Sequence, residues 1–203
     1  MKKKYSFNKY VDIERWSSYW HQIDEILKYE PESVLEIGAG NGAVANYIKN
    51  NTEIKYTTLD IDSTLNPDIE GNIECLKIGD NRYDIICAFE VLEHLPFEKF
   101  NKCLEQLRIV CDKYVIISLP HWGRHFSLDV KLPYFKQIKF NYKLNLFPIK
   151  HKFDGEHYWE IGKDGYPLKK IKEEIKNVGF KIINDYIVFE SPYHHFFILK
   201  KYF

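Results

Sequence analysis

The sequence has 203 residues, 45% hydrophobic and 16% aromatic, with 29 basic side chains balanced by 29 acidic ones. This length suits one domain with a substantial core, and the apolar share excludes a disordered chain. The formal charge of +0 provides no basic excess for nonspecific wrapping of nucleic acid, so RNA is not the favoured partner, and no apolar run reaches the ~20 residues that span a bilayer, so no membrane is expected.

The opening MKKKYSFNKY carries lysines without an apolar stretch behind them, which does not read as a signal peptide. From Asp12, a side chain suited to capping, residues 12–29 set Trp16, Tyr19, Trp20, Ile23, Ile26 and Leu27 at helical spacing. These form the expected packing face, and Pro31 stops the helix. Arg15 on it is either a surface side chain or a partner for a ligand carboxylate. Residues 33–37 read as a first strand. Gly38, Gly40 and Gly42 follow at alternate positions, and a helix runs from 42 to 49.

"EIKYTTLDID" predicts a second strand ending near Asp60, and "NIECLKI" a short third. "RYDIICAFE" is a fourth, buried on both faces and ending at Glu90. "FEKFNKCLEQLRIVC" is an amphipathic helix with Cys103 and Cys111 eight apart on it, and "KYVIISLP" is a fifth strand stopped by Pro120. Strand and helix alternate, which predicts a doubly wound α/β fold on a parallel sheet. Residues 121–156 show no clean periodicity and read as a lid or substrate pocket. "YPLKKIKEEIKNVGF" predicts a last helix, and "KIINDYIVFE" and "HHFFILKK" a strand pair. The cysteines, Cys75, Cys87, Cys103 and Cys111, form no C-x-x-C pair and read as reduced, buried thiols of a cytoplasmic protein.

Three glycines after a strand predict a tight turn whose bare backbone approaches a ligand. Asp60 ends the next strand, where an acidic side chain holds ribose hydroxyls. Together they imply an adenosine-type cofactor. Gly38, Gly40 and Ala43 also fit the dinucleotide fingerprint, which keeps a nicotinamide dehydrogenase open. Glu36, two residues before the first glycine, favours a ligand with an ammonium group. Gly42 adds a third glycine at alternate spacing, and a long aromatic helix precedes the first strand, whereas a dinucleotide fold commonly begins with that strand.

"VLEIGAGNG", "TLDID", "YDIICAFEVLEHL" and "YVIISLP", in that order, resemble the class I S-adenosylmethionine-dependent methyltransferases, most of all the small bacterial type 11 group. The resemblance implies a Rossmann-like, mostly parallel seven-stranded sheet of order 3-2-1-4-5-7-6 with an insertion after strand 5. It also implies one domain over 1–203, with a helical cover (1–31), a cofactor core (33–120), a substrate-side insertion (121–156) and a C-terminal helix and strand pair (157–203). It implies cofactor contacts at Glu36, Gly38, Ala39, Gly40, Asp60, Ile61, Asn72 and Phe89, with Asp62 as the weaker ribose candidate. Asn72 stands where relatives often carry a carboxylate.

The run "FEVLEHL" spaces Glu90, Glu93 and His94 as E-x-x-E-H, and "EHYWEIG" supplies His157. This resembles the small-RNA 3′-terminal 2′-O-methyltransferases, and ubiquinone-pathway O-methyltransferases carry a similar run. That likeness implies Mg2+, Mn2+ or Zn2+ on Glu90, Glu93, His94 and His157. The alternative gives His94 the role of base and Glu90 that of a helix cap. The expected reaction is O-methylation of a small hydroxylated molecule such as a sugar, nucleotide or surface-glycan precursor. An RNA 2′-hydroxyl, with "KLPYFKQIKFNYK" touching phosphates, and a noncatalytic cofactor-binding subunit stay as rivals. Among the remaining histidines, His121 and His125 are expected beside the substrate, while His194 and His195 are expected to be structural.

Overall fold

The computed structural model describes Tyr5 and residues 10–201. Helix α1 (Ile13–Leu27) opens the fold, and the Asp12 carboxylate caps it by accepting from the Arg15 N–H at 2.7 Å. Then come β1 (Ser33–Ile37), α2 (Ala43–Asn51), β2 (Lys55–Asp60), the two-residue β3 (Ile69–Glu70) and β4 (Tyr83–Phe89). A turn of 3-10 helix at Leu92–His94 leads through a second one to α3 (Phe100–Val110), which passes directly into β5 (Cys111–Pro120). A hairpin of β6 (Arg124–Val130) and β7 (Ile138–Leu144) precedes α4 (Leu168–Asn177), β8 (Phe180–Ile187) and β9 (His194–Lys201).

Seven strands form one sheet in the order β3-β2-β1-β4-β5-β9-β8, and β6-β7 form a second. The pairs along β3-β2-β1-β4-β5 are parallel, whereas β9 runs antiparallel to both β5 and β8. Counting the hairpin, this is the expected order, with the last pair reversed.

Alternation along β1 divides the core. Leu35 and Ile37 point into a cluster with Leu104 and Leu107 of α3 and Ile171 and Ile175 of α4. Val34 points to the other side, against Ile26 of α1 and Val44 and Ile48 of α2. A sheet covered on both faces explains why its inner strands read as unbroken apolar runs.

Several expectations need correction. "NIECLKI" is not a strand. The Asn72 side chain accepts from the Glu74 N–H at 2.8 Å, an Asx turn that bends the chain away after Ile69–Glu70. Cys111 begins β5 rather than ending α3, and Cys75 is exposed while the other three cysteines are buried. Tyr19 and Ile26 carry the packing of α1, whereas Trp16 and Trp20 are exposed.

Residues 124–144 do have a period, of two. His121 is buried and faces His195, with Nδ1 to Nδ1 at 2.9 Å, so it does not line the cleft below. Burial pushes its pKa down to about 2, leaving a neutral ring. His195 in turn meets Asp185 at 3.1 Å, a structural role as expected. His125 is exposed on the hairpin.

Candidate active site

The site starts from the turn after β1. Gly38, Gly40 and Gly42 have φ of 74°, 55° and 71°, values that L side chains rarely adopt. A Cβ on Gly38 would lie 2.5 Å from Val91 Cγ2, so this glycine admits the chain that leaves β4. Asp60, at the end of β2, braces the turn. One carboxylate oxygen accepts from the Gly40 N–H at 3.4 Å and the other from the Asp62 N–H at 3.0 Å. Asp62 itself caps the short helix that follows.

Over this turn lies a cleft of two lobes. The first, about 410 Å3, has Arg15, Tyr19, Glu36, Gly40, Phe89 and His157 among its walls. The second, about 340 Å3, is bordered by Asp60, Ile61, Asn72, Ile73 and Leu95. Tyr5, Gly38, Glu90 and His94 belong to both lobes. The eight expected cofactor residues thus face one cleft, with Glu36, Ala39, Gly40 and Phe89 in the first lobe, Asp60, Ile61 and Asn72 in the second, and Gly38 between them.

Glu36 is buried, and its Oε2 has no hydrogen-bond partner. Burial pushes its carboxyl pKa up to about 8. The carboxyl is therefore neutral near pH 7, and its Oε2 is free to accept a hydrogen bond. Arg15 stacks over the Tyr10 ring at 4.7 Å on the same wall, which keeps its guanidinium at the lobe.

At the far side of the first lobe the E-x-x-E-H run meets the "EHYWEIG" segment. The backbone N–H of Tyr158 donates to the Glu93 carbonyl at 2.8 Å, and the Trp159 indole donates to the Leu95 carbonyl at 3.1 Å. Trp159 is fully buried, so the segment is anchored by a large apolar side chain. Asp154 accepts from the N–H groups of Glu156 and His157, which fixes the bend before the histidine.

The result brings Glu93, His94 and His157 together, with one ligand atom from each within 4.8 Å of the others. Glu93 is buried, and neither of its carboxylate oxygens has a hydrogen-bond partner. Burial first, then the charge of Glu90, raises its pKa. For His157, burial acts to lower the pKa, but the hydrogen bond and charge of Glu160, 3.5 Å away, raise it overall. His94 Nδ1 lies 2.9 Å from the Glu156 carbonyl, so Nδ1 carries the hydrogen and Nε2 is left as an acceptor.

Glu90 does not join this trio. Its φ is +54°, and its carboxylate lies 3.8 Å from His194 Nε2 instead. His194 is the site residue that sequence reasoning missed, having been expected to be only structural. It lines the first lobe, and its Nδ1 meets Ser18 Oγ of α1 at 2.7 Å. Burial lowers its pKa, which keeps the ring neutral. The only signal for it was a His-His pair after a proline at a strand start.

A family model described as "Methyltransferase domain" matches residues 8–184. No curated protein matches the chain significantly. Among solved structures, a glycopeptide N-methyltransferase complexed with S-adenosyl-L-homocysteine is similar with a TM-score of 0.62 at 11% identity, over 92% of this chain and 89% of that one. The 1,6-didemethyltoxoflavin-N1-methyltransferase of Burkholderia thailandensis, solved with 1,6-didemethyltoxoflavin and S-adenosylhomocysteine, has a TM-score of 0.60 at 13% identity, covering 94% and 81%. The magnesium protoporphyrin IX methyltransferase of Synechocystis PCC 6803, solved with bound S-adenosylmethionine, has a TM-score of 0.60 at 12% identity, covering 95% and 85%.

Proposed function

The chain belongs to the family of methyltransferase domains, and we propose that it moves a methyl group from S-adenosylmethionine to an oxygen of a small hydroxylated acceptor, such as a sugar, a nucleotide or a surface-glycan precursor. One observation carries this reading. The first lobe of the cleft brings Glu36, whose Oε2 has no hydrogen-bond partner, together with His94, His157 and His194.

The bound cofactor supplies a methyl group already activated by a sulfonium charge. The protein's task is therefore alignment and exclusion of water. The residues present fit this ligand. Glu36 Oε2 would hold its ammonium group, Arg15 its carboxylate and Asp60 its ribose, and Ile61 and Asn72 would border the base. Phe89, on the wall of the first lobe, would pack beside the methyl-bearing end. His94, held at Nδ1 by the Glu156 carbonyl, offers Nε2 to the hydroxyl proton of the acceptor. Glu90, beside His194, orients that hydroxyl.

A second reading of the same cluster rests on Glu93, whose buried oxygens have no hydrogen-bond partner. Glu93, His94 and His157 would then hold a divalent cation, Mg2+, Mn2+ or Zn2+, which would lower the pKa of a bound hydroxyl. Glu90, turned toward His194, is not part of that set.

Calorimetry with S-adenosylhomocysteine and NAD tests the cofactor. Binding of the first alone is expected, and the reverse would overturn the reading. Label from a tritiated methyl donor should appear in a base-stable ether and be lost in His94→Ala. Transfer to short RNA instead would move the acceptor to a 2′-hydroxyl. Binding without any transfer would mark a noncatalytic subunit. Full turnover in excess chelator would remove the cation and leave His94 as the base.

A further inference from the structure

The β6-β7 hairpin is an amphipathic ribbon that stands outside the main sheet. Directly paired residues of an antiparallel ladder project from the same face. Phe126 pairs with Tyr142, Leu128 with Phe140, and Val130 with Ile138, while His125 pairs with Lys143, Ser127 with Asn141, and Asp129 with Lys139. One face is thus apolar and the other polar.

The polar face is turned to the body of the protein. Lys143 donates to the carbonyls of His121 and Pro192, and Lys139 pairs with Glu190. The apolar face is left outward, with Phe126, Leu128, Ile138, Phe140, Tyr142 and Leu144 between 41% and 62% exposed. The tip, KLPYFKQ, adds Leu132, Tyr134 and Phe135, also exposed. An isolated two-stranded hairpin is marginal in water even without such a face, and contiguous apolar surface of this kind marks an interaction site.

Charge identifies the occupant. Residues 124–153 carry seven Lys or Arg side chains and one carboxylate, Asp129, in a chain whose overall charge is +0. Lys139 and Lys143 are held against the body, which leaves Arg124, Lys131, Lys136, Lys150 and Lys152 for an outside partner. Asp129 lies on the polar face, where Gln137 donates to it at 2.6 Å. An apolar face with aromatic rings, edged by cations on long alkyl stems, matches the boundary between acyl chains and anionic headgroups. A second copy of the chain would oppose two patches of the same positive sign. RNA would find aromatic faces for stacking, but Leu128, Ile138 and Leu144 offer nothing to a base.

We propose that the outer face of the β6-β7 hairpin docks this protein onto an anionic membrane surface. No helix among the described residues is long and apolar enough to cross a membrane, so the docking is peripheral. Lys143 ties the hairpin root to Pro192, the neighbour of Tyr193 on the wall of the cleft, so docking would set the cleft close to the bilayer plane.

Sedimentation with phosphatidylglycerol/phosphatidylcholine vesicles tests this. The protein should pellet with them at low salt, with partitioning at least about tenfold weaker on pure phosphatidylcholine. The double variants Leu128→Ser/Phe140→Ser and Lys131→Glu/Lys136→Glu should each weaken partitioning by about tenfold, with S-adenosylhomocysteine affinity within about twofold of wild type as the control for folding. Failure of the wild type to pellet with anionic vesicles would overturn the proposal. So would a dimer in sedimentation equilibrium that Leu128→Ser/Phe140→Ser dissociates, or an RNA oligomer that displaces the protein from vesicles through the same residues.

Discussion

The stretch from β1 to β4 and the hairpin of β6 and β7 are built from similar strands, yet they spend their apolar residues in opposite ways. In β1 and β4 both faces are covered, and Val34, Leu35, Ile85 and Ile86 are completely buried. In the hairpin, half of the residues are apolar and nearly all of those remain in contact with solvent. The first region takes its stability from within and forms the floor of the cleft. The second is held by Lys143 at its root and Lys139 near its tip, and keeps its apolar face for something outside the fold. Side chains of the same kind therefore act as core in one place and as contact surface in the other.

The largest effect that would break this contrast lies in the glycine turn. Gly38→Ala should abolish binding of S-adenosylhomocysteine by calorimetry, because its Cβ would collide with Val91 at 2.5 Å on a backbone with φ of +74°. Normal affinity in a folded variant would remove the turn from the site. Next, Leu107→Ala in the core should cost about 2–5 kcal/mol of unfolding free energy in urea. Phe140→Ser on the hairpin should change it by only about 0.5 kcal/mol. Equal losses would mean that the hairpin face is packed.

Asp60→Ala should weaken S-adenosylhomocysteine by about tenfold, from loss of charge-assisted hydrogen bonds worth about 1.5–3 kcal/mol. An unchanged affinity would shift the ribose to Asp62. The smallest effect concerns protons. Burial pushes the Glu36 carboxyl up to about 8 in the fold, against an ordinary value of 4.5. The folded state then holds a proton that the unfolded state has lost. Stability contributed by this group is complete below pH 4.5 and is lost as pH rises toward 8. Glu36→Gln should flatten that part of the stability profile. In the wild type, an ammonium ligand should expel the proton. Calorimetry near pH 7 in buffers of differing ionisation enthalpy should register proton release, absent in Glu36→Gln.

Much of the molecule was legible in its sequence because local chemistry and tertiary packing agreed. The Asp12 cap, the left-handed glycines and the alternation of strand and helix each follow from neighbouring residues alone. The trio of Glu93, His94 and His157 was legible in part, since E-x-x-E-H places the first two and only the long return of "EHYWEIG" adds the third. Glu90 was misplaced because spacing carries no record of a positive φ, which swings its side chain toward His194. The absence of a third strand at 72–78 turns on an Asx turn, and the exposure of Trp16 and Trp20 on which side of α1 meets α2. The alternation in 124–144 was not legible, because the longer segment 121–156 has no clean period and aromatics opposite lysines do not resemble a strand facing a core.

The position of β9 has a consequence for how the protein is made. It follows β8 in the chain but lies between β5 and β8, where Ser118 faces Phe196 and Ile116 faces Ile198. On the ribosome, β5 emerges well before its neighbour and waits with one row of amide and carbonyl groups open to any passing strand. Until β9 slots in, His194 has not reached Ser18, and the cleft lacks a wall. A nascent chain can fold its glycine turn early, but it can grip a cofactor only after synthesis has passed the residues that close the sheet. That interval is the one in which a chaperone would matter most.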